Sequence, residues 1–382
     1  MQKSNFLFIL KSFLVWRVLV FIAAVVAVNY LPLFSDNFLA GRVQNYSKNP
    51  LFWGWANFDG EHYTSIAIYG YKNLQQAFFP AYPFLIKFFS LPFGVGLPQS
   101  IWTGLIVSNL SFLGALFIFW KVVRLDYSEK IAKLALISLL VFPTSFYFGA
   151  VYTESLFLLT SLLTYYLYRK DKYLLSGLVG ILMTATRIYG VFVLMMILVD
   201  IMQRKLDLKK FVKEKVYLLG VSAFGLFTYM LFSWKNYADP LAFYNLQTIV
   251  GEQHQKGIIL LPQVFFRYVK IIFLGKVHLY SLQTTLLEVT TAILFVILPI
   301  YAYIKKIRWS YVVYILFGFL VPSAQGSFSS VPRYLVVIFP AFIVMAVLLE
   351  KQSKLTKSIY FILSGLWLMI NTSLFLRGYW IA

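Results

Sequence analysis

About eleven apolar runs, most of them near the roughly 20 residues that one bilayer-spanning helix requires, recur along the whole chain. They lie near 14–34, 101–120, 134–150, 154–168, 173–186, 188–202, 216–234, 284–304, 309–322, 334–349 and 358–376. One soluble core could not absorb them, because 60% of the 382 residues are hydrophobic and only 13% are charged. The expected fold is all-α, a polytopic integral membrane protein forming a single domain over 1–382. No internal repeat, low-complexity tract or soluble domain interrupts it.

A net charge of +20 raises the question of nucleic acid, but the basic residues are dispersed between apolar runs instead of gathered on one face. Nucleic acid is therefore excluded as a partner, and the cations read as topology signals. With the N-terminus in the cytoplasm, the inner loops collect "KVVR…EKIAK", "RKDK", "QRKLDLKKFVKEK", "KKIR" and "EKQSKLTK". About 22 of the 34 Lys and Arg then fall inside and about 12 outside, although the outer loops are longer. This threading also places Asp59, Glu61, His62, Glu154, Arg187, Asp239, His254, His278 and Arg333 on the outer side or at outer helix ends. The absence of cysteine removes disulfides and thiolate chemistry. The first run follows a basic N-terminal stretch without a clear small-residue cleavage site, so it reads as a retained signal-anchor.

Two outer segments exceed plain connectors: 35–100, and a second outer loop over 235–283. In the first, Pro80 and Pro83 break any helix arriving from upstream, and the run from Phe84 to Phe93 is too short to span. It is expected to lie at the membrane surface. In the second, "PQVFFRYVKIIFLGK" places Phe265, Phe266, Val269, Ile272 and Phe273 on one helical face, again an interfacial pattern.

The first outer loop contains "NFDGEHYTSIAIYGYKNLQQAFFPAYPFL", which concentrates Asp59, Glu61 and His62 in a chain with only 14 acids. On a helix, Phe58, Glu61, His62 and Ser65 share a face and Asp59 points about a quarter-turn away or caps the start. Capping by Asp59 and dipole stabilisation by Glu61 would account for both acids. A metal site does not emerge, since no second cluster supplies the missing ligands.

The same stretch resembles the signature of the PIG-V-like GPI mannosyltransferases, the enzymes that add the second mannose, and their prokaryotic relatives. Asp59, His62, Tyr63, Ile66, Ala67, Gly70 and Tyr71 match its first half; Ala77, Phe78, Phe79, Pro80, Tyr82 and Pro83 match its second. Further segments follow in family order: "VYTESLF" with Glu154, "TRIYG" with Arg187, "DPLAF" with Asp239, and "PRYL" with Arg333 and Tyr334. The chain departs from the family at Phe58, where tryptophan is expected, and at Ile188 and Tyr189. Those departures bear on sugar or acceptor specificity rather than on reaction class.

The resemblance implies a GT-C glycosyltransferase. Such an enzyme transfers a sugar, mannose by analogy, from a polyprenyl- or dolichyl-phosphate donor to a glycolipid, glycan or protein acceptor on the outer or lumenal face. Under it, Asp59 is the general base for an inverting attack and Glu61 the runner-up, with His62 beside them. Arg187 and Arg333, outer arginines that the positive-inside bias does not explain, would receive the donor phosphate; interfacial snorkelling is the plain alternative. Glu154 and Asp239 read as helix-start residues that could also support the acceptor, with Tyr63 and Tyr82 nearby. The lack of a Gly-rich phosphate loop argues against a nucleotide-sugar donor, and no cofactor or metal is expected, because a lipid monophosphate carries no diphosphate to offset. The rival readings are a transporter or flippase, which would favour midplane charges on broken helices, and a non-catalytic subunit binding lipid-linked glycans. A prokaryotic plasma membrane is the favoured location, with the endoplasmic reticulum as the alternative.

Overall fold

The computed structural model describes residues 2–34, 39–203, 220–246, 249, 257–275 and 278–381, and among them all regular structure is helical. In chain order the main helices begin with α1 (Lys3–Tyr30), α2 (Asp59–Tyr69), α3 (Ala81–Ser90), α4 (Leu97–Val123), α5 (Glu129–Leu140), α6 (Glu154–Arg169) and α7 (Tyr173–Thr184). They continue with α8 (Gly190–Gln203), α9 (Phe224–Tyr237), α10 (Leu261–Leu274), α11 (Leu279–Ile304) and α12 (Trp309–Ser323). The last three are α13 (Val331–Leu335), α14 (Phe339–Glu350) and α15 (Lys354–Leu376). The basic run 204–215, the start of the expected span 216–234 and His254 lie outside the described residues.

Every expected apolar run contains helix, but many of these helices are shorter than a full span. Among the described residues, four helices are long and apolar enough to cross a membrane alone: α1, α4, α11 and α15. Others are short, and two of the expected runs are broken by proline. Helix α5 ends at Leu140, ahead of Pro143, and α14 starts only at Phe339, with Pro340 in its first turn. Proline lacks an N–H and holds its predecessor away from helical backbone, so neither run can continue as one rod. The result is two stretches without a long helix inside the helical bundle: 141–153, which holds only a 3-10 turn at Ser145–Gly149, and 324–338, which holds only the five-residue α13.

Irregular backbone at membrane depth survives only where protein satisfies its polar groups. Here the two breaks meet and do so for each other: Thr144 Oγ1 donates to the Pro332 carbonyl at 2.8 Å. Asn371 Nδ2, from α15, donates to the Pro143 carbonyl at 3.0 Å, and Val151 N donates to the Trp55 carbonyl at 2.9 Å. Phe146, Tyr147, Phe148, Val151 and Tyr152 are fully buried around that junction.

The loops assigned to the inner side by charge assemble at one end of the bundle. Asp126 binds Arg169 at 2.8 Å and Arg308 at 2.7 Å, and Arg308 reaches buried Asp200 at 3.0 Å. Lys130 pairs with Glu350 at 3.4 Å, and Asn5, at the start of α1, donates to Glu129 at 3.4 Å. Four loops and the N-terminal helix thus share one charged end, as alternate threading requires. The chain is a multi-pass membrane protein.

The two surface helices expected in the long loops also form. Phe84, Phe88 and Phe89 of α3 and Phe266, Val269 and Phe273 of α10 are exposed along one side of each. The other side of α10 is pinned: Tyr268 Oη donates to Glu288 Oε2 of α11 at 2.6 Å and accepts from Phe328 N at 2.9 Å.

Helices α7 and α9 touch through glycine. A Cβ on Gly225 would lie 2.0 Å from the Ile181 carbonyl oxygen, whereas one on Gly365 would meet nothing within 4 Å. Overpacking of this kind costs about 1–3 kcal/mol. Gly225→Leu is expected to lower the melting temperature of the purified protein in detergent, and Gly365→Leu to leave it unchanged; equal melting of both variants would refute the packing.

Candidate active site

The site is built where the two broken stretches meet α2. Helix α2 starts at Asp59, so Asp59 occupies its first turn and the cap position falls to Phe58, with φ 57°. A positive φ in a bulky residue is strained by about 1–3 kcal/mol and needs surroundings that hold it. The C-terminal segment provides them. The Phe58 ring packs at 5.7 Å from Phe375 and 5.1 Å from Trp380. Buried Asn57 donates to the carbonyls of Phe375 and Leu376 at 3.2 and 3.3 Å and accepts from Ala40 N at 3.2 Å. Tyr152 Oη donates to the Asn57 carbonyl at 2.9 Å.

So positioned, Asp59 Oδ2 accepts from Arg333 Nη1 at 2.7 Å. Arg333 Nε also lies 3.5 Å from Glu154 Oε1, an ion pair too long for a hydrogen bond. The same Glu154 oxygen accepts from Arg187 Nη1 at 2.7 Å. Four residues that were separate candidates in the sequence therefore form one chain of charge: Asp59, Arg333, Glu154, Arg187. Glu154 is 1% exposed and Arg333 6%, so the network is shielded from water. The aromatic rings of Tyr147, Tyr152, Tyr334 and Trp380 lie within 6.0 Å of the Arg333 guanidinium.

Helix α6 explains the depth. It carries Glu154 at its first residue and Arg169, in the charged inner end, at its last. Its 16 residues span about 24 Å at 1.5 Å each, so Glu154 sits near the far boundary of a hydrocarbon layer about 30 Å thick. An ionisable network at that level is costly unless it serves a purpose.

The network is incompletely satisfied. Glu154 Oε2 is buried without a hydrogen-bond partner among the described residues, as is Arg333 Nε. Arg187 donates from Nη1 to Glu154 and, at 3.4 Å, to Thr153 Oγ1, and its guanidinium lies 5.7 and 5.5 Å from the Tyr189 and Tyr334 rings.

The remaining candidates fall in different places. Two residues apart on a helix point to nearly opposite sides, and Glu61 accordingly faces away from the arginines. It lines a cavity with Arg42 and Asn45, and burial pushes its carboxyl up to about 7 against the opposing pull of Arg42. His62 lines the same cavity and stacks on Phe78 with ring centroids 4.7 Å apart. Burial lowers its basicity and the Asp59 charge partly restores it. Tyr63 lies between the regions, buried, its Oη 3.5 Å from Thr153 Oγ1 and its ring edge-on to Phe78, Tyr82 and Tyr152. Tyr82 is a packing element: its hydroxyl bonds the Gly104 carbonyl and Ser108 on α4. Asp239 is half-buried and apart from the network, its carboxylate taken by Leu241 N at 2.9 Å and Asn245 Nδ2 at 2.8 Å. His278 precedes α11 on the surface.

Among the described residues no three His, Asp or Glu side chains converge in a way that could hold a metal ion. The contribution of Asn57, Tyr147 and Trp380 was not visible in the sequence. "RGYWIA" follows the last apolar run and carries two aromatics with no role as a span, which was the only available signal.

Comparison with known proteins gives three results. The chain resembles, with TM-score 0.44 and 11% identity, an Archaeoglobus fulgidus oligosaccharyltransferase tethered with an acceptor peptide, over 95% of this chain and 55% of that one. It also resembles the oligosaccharyltransferase AglB of the same organism, in complex with an inhibitory peptide and a dolichol-phosphate, with TM-score 0.47, 11% identity and coverage of 96% and 56%. The chain spans about half the length of these proteins. No curated protein matches it. The family model described as mannosyltransferase (PIG-V) matches residues 5–247, which include Asp59, Glu61, His62, Glu154, Arg187 and Asp239. With well over half its length in that match, the chain belongs to the PIG-V mannosyltransferase family.

Proposed function

We propose that the chain is a GT-C membrane glycosyltransferase that moves a sugar, mannose by its family, from a polyprenyl- or dolichyl-phosphate donor to a hydroxyl of a glycolipid, glycan or protein acceptor on the outer or lumenal face. The observation that carries this reading is the buried contact between one carboxylate and two arginines through Glu154. An acid that can take a proton and cations that can receive a phosphate stand side by side.

A hydroxyl is a poor nucleophile at neutral pH, and a positioned carboxylate accepts its proton as it attacks. In this mechanism the acceptor oxygen bonds to the anomeric carbon from the face opposite the phosphate while its proton passes to Asp59. The bond from the anomeric carbon to the phosphate oxygen breaks, its electron pair leaves with the lipid phosphate, and the sugar is inverted. The developing phosphate charge meets Arg187 and Arg333, whose planar forks match phosphate oxygens. Glu154 orients both forks before the donor arrives. A monophosphate leaving group served by two arginines needs no metal. Geometry favours Asp59 over Glu61 as the base, because only Asp59 touches the arginines.

Two features weigh against the transporter reading: family membership, and a charged network at one level near the outer boundary. The broken runs at 141–153 and 324–338 are the feature it shares with transporters.

Asp59→Asn is expected to lower transfer from radiolabelled polyprenyl-phosphate mannose to membrane glycolipids by about 10²–10⁴-fold, with donor still bound and wild-type transfer persisting in EDTA. Wild-type activity in the variant would remove Asp59 from the reaction. No transfer from any lipid-phosphate sugar, together with glycolipid translocation in liposomes, would establish transport instead.

Arg187→Gln should reduce kcat by about 10²–10³-fold, and Arg187→Lys should recover only part of it, because lysine restores charge without the fork. Asp239→Ala should retain wild-type kcat. An Arg187→Gln enzyme that loses affinity for donor and acceptor alike, with lowered melting temperature, would mark Arg187 as structural.

A further inference from the structure

Helix α11, apolar enough to cross a membrane alone, carries a single charged residue, Glu288, which the mechanism above does not use. Ionisable side chains inside such helices are costly and are retained for a purpose. Glu288 is 7% exposed, and among the described residues no cation pairs with it. It accepts instead from Tyr268 Oη of α10 at 2.6 Å.

That bond fixes the direction of the others. With its proton on Glu288, the phenol can only accept, and it does so from Phe328 N at 2.9 Å and from Ser327 Oγ at 3.2 Å. Ser327 Oγ in turn accepts from Ser329 N at 3.0 Å. Further bonds from the α10 region grip the residues just before. Ile259 N donates to the Ala324 carbonyl at 2.8 Å, and Arg267 Nη1 donates to the Gly326 carbonyl at 3.0 Å. The approach is close: a Cβ on Gly326 would lie 2.6 Å from the Ile259 side chain. The buried Phe328 ring sits 4.9 Å from both Phe265 and Tyr268.

Arg333 follows Phe328 by five residues, and the connection is short and bent. Val331 N donates to the Phe328 carbonyl at 3.0 Å, and Ser330 between them takes φ 64°. A serine at positive φ is uncommon and persists only where its surroundings hold it. Released at 327–329, Ser330 would return to ordinary backbone and α13 would turn with it, carrying Arg333 away from Asp59 and Glu154.

We propose that Tyr268, oriented by Glu288, is a positioning residue for Arg333. Through 327–330 it sets the direction in which the guanidinium meets the donor phosphate, an inference that rests on the glycosyltransferase reading. The mechanical link runs from a spanning helix, through the helix α10, to a group that receives charge in the transition state.

The test compares the purified full chain in detergent with Tyr268→Phe and with the double variant Tyr268→Phe/Glu288→Leu. Transfer kinetics, melting temperature and hydrogen exchange read by mass spectrometry are measured on each. Removing the phenol strands a carboxylate and a backbone N–H together; adding Glu288→Leu removes the stranded carboxylate without restoring the hold on Phe328. Tyr268→Phe should lower kcat by about 10–100-fold, the loss expected from a slightly misplaced catalytic group, with the acceptor KM changed less than about twofold. The double variant should regain the wild-type melting temperature while kcat stays low. Both variants should exchange faster over 324–335 and at the wild-type rate over 129–140. Recovery of kcat together with melting in the double variant would make Tyr268 a docking residue only. Wild-type exchange over 324–335 in Tyr268→Phe would overturn the link to Arg333 whatever the activity. A wild-type protein that moves no sugar from any lipid phosphate would defeat the transferase reading, and the exchange measurement would still decide the link.

Discussion

The structure turns on one buried carboxylate. Glu154 lies near the hydrocarbon boundary, where an isolated charge would be expelled or neutralised, and it persists because Arg187 and Arg333 approach the same oxygen. Bringing two arginines from chain positions 146 residues apart to one atom requires that backbone leave the regular helix at that depth. The proline-broken stretches 141–153 and 324–338 do this, and the bond from Thr144 to Pro332 holds them in register. Removing the acid would leave two arginines facing each other in a low-dielectric setting, so the network, the breaks and the surrounding tyrosines depend on one another.

Ion pairs alone do not mark function, and this protein contains its own comparison. At the inner end both oxygens of Asp126 accept from both arginines, Arg169 and Arg308, at 2.7 to 2.9 Å. That carboxylate is saturated and ties loops together. At the opposite end Glu154 has one oxygen buried without a hydrogen-bond partner among the described residues. Arg169 Nε in the inner bridge is also buried without a hydrogen-bond partner among the described residues, so an unpaired donor does not by itself mark function. The ends differ in their carboxylates: Asp126 has both oxygens bonded, and Glu154 has one.

Much of this was legible in the sequence because membrane proteins write topology in composition. The apolar runs located nearly every helix, and the dispersed Lys and Arg predicted that the loops around Asp126, Arg169, Arg308 and Glu350 would share one end. The spans themselves were misjudged at 134–150 and 334–349. There hydropathy continues across Pro143 and Pro340, but backbone hydrogen bonding does not. Residue by residue, capping seemed sufficient for Glu154, since a first-turn acid needs no further explanation; only three-dimensional proximity shows that two distant arginines claim it. The roles of Asn57 and Trp380 were invisible for the same reason, being contacts across more than 300 residues that no local pattern encodes.

The geometry of α2 gives the last step. Its 11 residues carry acids at the first and third positions, and helical periodicity sends these to opposite sides. Asp59 joins the arginines, and Glu61 joins the neutral polar cavity. His62 and Tyr63 fill the angle between the sides, each packed against Phe78. The strain at Phe58 is consistent with this arrangement, because rotating α2 to relieve it would turn Asp59 out of reach of Arg333. The C-terminal segment that clamps Phe58 and Asn57 therefore fixes how α2 divides its two acids.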